Sequence, residues 1–113
     1  MRELDWEGLQ TVAAAPVRPV VVDVWDPCCP PCVALGPYFE ELGEAYGDRM
    51  DFYKYNRAED RRIMQGLSLR GVPTLLFYLP GGELMRRLTG DQEATREALR
   101  QGIEDLLERV ALR

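Results

Sequence analysis

All three cysteines of this chain fall within one pentapeptide, Cys28-Cys29-Pro30-Pro31-Cys32. Cys29 and Cys32 are separated by one helical turn, close enough for their sulfurs to form and break a disulfide. The run Val20-Val21-Val22-Asp23-Val24-Trp25 lies just upstream, so the cysteines stand where a strand ends and a helix begins. There one sulfur meets the positive end of the helix dipole, which favours the thiolate, the nucleophilic form. Thiol–disulfide exchange is the chemistry this pattern suits. His is absent altogether, which removes His-based metal sites, Cys–His dyads and imidazole acid–base catalysis. Two alternatives remain. One is a metal or iron–sulfur site on Cys28, Cys29 and Cys32, although three thiolates fall short of the usual four and a cluster would need a dimer. The other is a non-catalytic interaction module that keeps a fold only to bind a partner.

The elements that must hold these cysteines can be read from periodicity. A helix is expected over 5–15, ended by Pro16, with Leu4, Leu9 and Val12 inward and Trp6 beside them. Val20–Trp25 is β-branched and nearly all apolar, which predicts a strand covered on both faces. Leu35, Phe39, Leu42 and Tyr46 mark one face of a helix over Cys32–Tyr46, with a kink expected at Pro37. Met50–Tyr55 predicts a second strand, 59–65 a short helix ended by Gly66, and Thr74–Leu79 a third strand. Pro80-Gly81-Gly82 turns that strand into a fourth, Glu83–Leu88, as an antiparallel hairpin. The last helix, 93–110, carries Leu99, Ile103, Leu106 and Val110 on one face. Helices between the early strands imply parallel pairing by crossover, so a mixed α/β sheet flanked by helices is expected.

With 113 residues, 46% of them hydrophobic and 29% charged, the chain reads as one domain over 1–113 with a core of its own. The start, Met1-Arg2-Glu3-Leu4-Asp5-Trp6, has no positive-then-apolar signal, and no apolar run is long enough for a bilayer. A cytoplasmic location and no membrane partner are therefore expected, and in a reducing compartment a Cys-x-x-Cys is catalytic or metal-binding. A net charge of −5 speaks against a nucleic-acid partner. The Arg61-Arg62 and Arg86-Arg87 pairs read as solvated faces.

Taken in order, these motifs resemble the thioredoxin family. The resemblance runs from about Leu4 to Leu107 and rests on Val22-Asp23-Val24-Trp25, Cys29-x-Pro31-Cys32 and Pro37. It continues through Lys54-Tyr55-Asn56, Arg70-Gly71-Val72-Pro73-Thr74 and Gly90. It implies the thioredoxin fold, with the family's first strand short or missing. It also implies that Cys29 attacks and Cys32 resolves, forming the redox-active disulfide. Asp23 would be the buried carboxylate that takes and returns the proton of Cys32, with Lys54 nearby. Pro73 would be a cis-proline facing the disulfide, and Trp25 a ring packed beside the loop. Trp25, Cys28, Pro31, Val72, Pro73 and Gly90 would form the face that meets substrate. The chain departs from the family's Trp-Cys-Gly-Pro-Cys by placing Cys28 for the tryptophan and Pro30 for the glycine. Asp91 also stands where a small apolar residue is common.

The expected activity is that of a protein-disulfide reductase. It would cycle between dithiol and disulfide, need no bound cofactor or metal, and receive electrons from a reductase partner. Asp23, an acid in an apolar strand, should have a raised pKa suited to accepting a proton. Its bland alternative is a structural salt bridge with Lys54, the only lysine. Pro30 and Pro31 stiffen the loop, and Pro30 removes a donor that could have stabilised the Cys29 thiolate; both effects favour the disulfide. Rigid loop geometry can instead strain the ring and favour the dithiol, so the sequence leaves the sign of the net effect open. Cys28 reads first as a small apolar substitute for the missing ring, and otherwise as a third reactive thiol.

Overall fold

The sheet is built outward from its most apolar strand. In the computed structural model, which covers Met1–Arg113, β1 (Val20–Trp25) lies between β2 (Asp51–Asn56) and β3 (Thr74–Tyr78), and β4 (Leu84–Thr89) completes the order β2-β1-β3-β4. Val20 to Val24 are buried, as expected for a strand covered on both faces. Alternation along β1 then sends its side chains into two cores. Val21 joins Leu35, Phe39 and Leu42 of α2 (Pro30–Tyr46) and Leu99, Ile103 and Leu106 of α4 (Arg96–Ala111). Val20, Val22 and Val24 pack on the other face with Leu4, with Leu9 of α1 (Trp6–Ala14) and with Ile63 of α3 (Arg62–Gly66). Asp23 and Trp25 share the parity of Val21, so both project toward the layer that contains α2. Lys54 shares the parity of Phe52, which packs against that same core.

One topological expectation is corrected. β1 and β2 are parallel, Val20 opposite Asp51 through Trp25 opposite Asn56, but β3 is antiparallel to β1, Val20 opposite Tyr78. The cause lies in residues 57–73. They contain only the short α3, and the chain re-enters the sheet at the end where β2 left it. A parallel strand would need a connection running back along the whole sheet. The β3–β4 hairpin is antiparallel, as predicted. The family's first strand is reduced to a bridge between Glu3 and Lys54, in which Leu4 N donates to Lys54 O at 2.8 Å and Lys54 N to Arg2 O at 3.0 Å.

Helix boundaries follow their caps. Asp5 caps α1 by accepting from Gly8 N at 2.7 Å, and Thr95 caps α4 by accepting from Ala98 N at 3.1 Å, so α4 starts at Arg96 rather than 93. α3 starts at Arg62 rather than 59 because Asn56 Oδ1 accepts from Ala58 N at 2.9 Å and holds a turn there. Gly66 is the last residue of that helix, not the residue after it. α2 runs through Pro37 to Tyr46, and its first two residues are prolines, at positions where an N–H would have no helical acceptor.

Candidate active site

β1 ends at Trp25, and after three intervening residues the chain enters α2 through Cys29, whose extended backbone makes it the N-cap. Cys29 and Cys32 are paired as a disulfide with their Cα atoms 5.2 Å apart. Pro30 and Pro31 carry no N–H, so Cys32 supplies the first amide donor of the helix. That donor is aimed at Cys29 Sγ, at 3.3 Å. The two sulfurs differ in access: Cys32 is buried at 1% exposure, whereas Cys29 is half-buried. Cys28 is exposed and holds a free thiol, so the position of the missing ring is not packed against the core.

The loop before β3 closes over the disulfide. Val72 O lies 3.9 Å from Cys29 Sγ, and the Val72–Pro73 peptide is cis. Thr74, fully buried, fixes this turn by donating its hydroxyl to Gly71 O at 2.7 Å. Gly90 N donates to Pro73 O at 2.8 Å, with Gly90 at φ +89°, a conformation that favours glycine. Pro31 lines an open groove together with Leu35, Asp91 and Arg96. Cys29, Cys32, Val72, Pro73 and Gly90 are thus brought to one end of the sheet.

Asp23 has no exposed surface, and neither carboxylate oxygen has a hydrogen-bond partner. Burial pushes its pKa up to about 7, opposed by the positive charge of Lys54 and reinforced by Glu3 and Glu40. The two residues are register partners across β1 and β2, yet they form no ion pair, which removes the structural salt-bridge reading. Lys54 instead places Nζ 4.6 Å from the centroid of the Trp25 ring, a cation–π distance. Trp25 Nε1 in turn donates to Glu3 Oε1 at 3.2 Å.

Three residues of this site went unread in the sequence. Asp26, 8% exposed, accepts from Cys28 N at 2.8 Å and from Arg57 Nε at 3.0 Å, and these donors hold its pKa below the usual carboxylate range. Glu3 reaches the site through the bridge to Lys54. An Asp-Pro pair two residues ahead of a cysteine is a turn signal that could have marked Asp26. Arg57 and Glu3 depend on strand register and leave no local trace. Of the arginine pairs read as solvated faces, Arg62 ties Asp60 to Glu7, Arg86 pairs with Asp105 at 2.9 Å and Arg87 donates to Leu67 O at 2.7 Å.

A half-exposed sulfur at a helix start, disulfide-bonded to a buried one and roofed by a cis-proline turn, defines the dithiol oxidoreductases built on this fold. A family model described as Thioredoxin matches residues 4–105. Thioredoxin of Peptoclostridium acidaminophilum is 35% identical over 95 residues, 84% of each chain, and that of Malassezia sympodialis is 32% identical over 83 residues, 73% of this chain and 79% of the relative. The crystal structure of the Malassezia sympodialis thioredoxin, Mala s 13, superposes with a TM-score of 0.81 at 27% identity, covering 93% of this chain and 91% of the other. The chain belongs to the thioredoxin family. It is a thiol–disulfide oxidoreductase that reduces disulfides in protein substrates.

Proposed function

We propose that Cys29 is the attacking thiol and Cys32 the resolving thiol of this reduction. The observation that carries the assignment is the difference between the sulfurs: one reachable and facing an amide donor at a helix start, the other buried. The Cys29 thiolate attacks one sulfur of the substrate disulfide, and the other substrate sulfur leaves as a thiolate and takes a proton. Cys32 then gives its proton to Asp23 and attacks Cys29 Sγ. This releases the second substrate thiol and leaves two electrons on the substrate and a disulfide in the protein. Asp23 suits the acceptor role because a carboxyl with a pKa near 7 exchanges protons readily at neutral pH. Lys54 supplies the positive charge that keeps that pKa from rising further.

In this reading Trp25, Cys28, Pro31, Val72, Pro73 and Gly90 form the face that receives the substrate peptide. A reductase returns the two electrons, the 113 residues act as one domain, and the compartment is a reducing cytoplasm. No helix is long and apolar enough to cross a membrane. The acidic balance of the chain favours protein over nucleic-acid partners. Insulin reduction tests the core of the proposal. Cys29→Ser should abolish turnover, and Cys32→Ser should accumulate mixed disulfides through Cys29. Faster alkylation of Cys32 than of Cys29 at pH 7 in the reduced protein would reverse the roles.

A further inference from the structure

The segment Asp26-Pro27-Cys28-Cys29 is the only covalent lead into the attacking cysteine from the sheet, and one side chain holds it from within. Asp26 Oδ1 accepts from Cys28 N at 2.8 Å, and Asp26 O accepts from Cys29 N at 3.0 Å. Asp26 Oδ2 accepts from Arg57 Nε at 3.0 Å, and Arg57 N donates to Trp25 O at 2.9 Å. Asp26 is nearly buried and the Arg57 side chain is 22% exposed, so the pair is shielded more than a surface ion pair. Arg57 stands on the rung after the last β1–β2 pair, Trp25 opposite Asn56. The loop is therefore anchored to two strands at once.

That anchoring matters because two prolines lie immediately beyond Cys29. Neither Pro30 nor Pro31 can donate, so the stabilising contact at Cys29 Sγ is the single amide of Cys32. A sulfur with one donor is sensitive to where its own backbone sits, and the backbone at 28 and 29 is set by Asp26. We propose that Asp26, held by Arg57, is a positioning residue for the Cys29 thiolate, acting through its hydrogen bond to the amide at position 28. This rests on the reading of Cys29 as the attacking thiol.

The test uses full-length protein carrying Cys28→Ala and Cys32→Ser, so that Cys29 is the only thiol and the amide at 28 is kept. Its reaction with Ellman's reagent forms a mixed disulfide at Cys29 and releases thionitrobenzoate, which is followed by absorbance. Adding Asp26→Ala should slow this reaction about tenfold. Asp26→Asn, which keeps an acceptor for the amide at 28 but loses the link to Arg57, should slow it about threefold, and Arg57→Ala should match it. Circular dichroism confirms the fold of each variant. The Arg57→Ala arm stands alone if Asp26→Ala does not fold. The positioning role is overturned if Asp26→Ala or Arg57→Ala reacts at the parent rate, or if Asn is as slow as Ala. A parent that reacts no faster than a free peptide thiol would instead sink the assignment of Cys29 itself.

Discussion

Asp23 is a carboxylate placed where water does not reach, and its cost has a definite pH dependence. Its folded pKa, about 7, lies above the ordinary value of 3.8, so between these limits the folded protein holds a proton that the unfolded chain releases. Stability therefore falls as pH rises from about 4 to about 7, then levels off. Asp23→Ala should be near neutral at pH 4 and stabilising at pH 8, on the order of 2–4 kcal/mol. Urea melts across that range would show the trend, and a pH-independent difference would contradict it. The same variant should slow resolution of the mixed disulfide; equal resolution rates from pH 6 to 9 would rule out the proton-acceptor role. Cys28 leads to the opposite expectation. One attacking and one resolving thiol suffice, so Cys28→Ala should keep turnover within a factor of about three, or about 0.6 kcal/mol of barrier. Its exposure predicts that oxidised wild-type protein forms linked dimers on non-reducing gels and that the Ala variant does not. At this scale the sequence was legible wherever chemistry depends on near neighbours, as with Cys29, Cys32 and an acid between Val22 and Val24. Arg57 and Glu3 were missed because they meet Asp26 and Trp25, distant in the chain, only through the sheet, whereas Asp26 left the local trace of its Asp-Pro turn beside Cys28.

The elements were legible where one face is continuously apolar. β1, α2 and α4 lie close to where periodicity placed them, because burial of Val20–Val24, of Phe39 and of Leu99, Ile103 and Leu106 decides which faces pack, while the caps set the helix ends. α3 and the direction of β3 were less so. The turn after Asn56 is held by side-chain hydrogen bonds, and strand direction depends on which end of the sheet the connection reaches. α4 also carries a glycine that periodicity does not explain. Gly102 is buried in mid-helix, and a Cβ there would come within 2.5 Å of Phe77 Cζ on β3. The fully buried Phe77 ring has little room to retreat. Gly102→Ala should therefore destabilise by about 1–2 kcal/mol, overpacking outweighing the roughly 1 kcal/mol gain in helix propensity. A raised urea midpoint would show that the ring yields instead. Thr95→Ala, which removes the cap of the same helix, should cost about 1 kcal/mol by the same assay.

Across the whole molecule, the short N-terminal bridge does more than close an edge. It buries Leu4, pairs the backbone of Lys54 on its outer side and delivers Glu3 to Trp25. A chain starting at Asp5 should lose about 2–3 kcal/mol from one buried leucine and the lost backbone hydrogen bonds. Urea unfolding would measure this, and an unchanged midpoint would mean that the bridge is dispensable. The strand order has a further consequence, for the moments when the chain is being made. β1 is central, but Val22 must wait for Leu76 to be synthesised before its antiparallel partner exists. At about 5–20 residues per second, that delay is roughly 3–11 s. For that interval Cys28, Cys29 and Cys32 ride on a nascent segment with no Val72 carbonyl above them and no finished sheet to keep the third thiol apart. A ribosome in an oxidising setting would therefore meet three interchangeable sulfurs, and the folded arrangement of one buried, one poised and one exposed begins only after the second half of the chain has emerged.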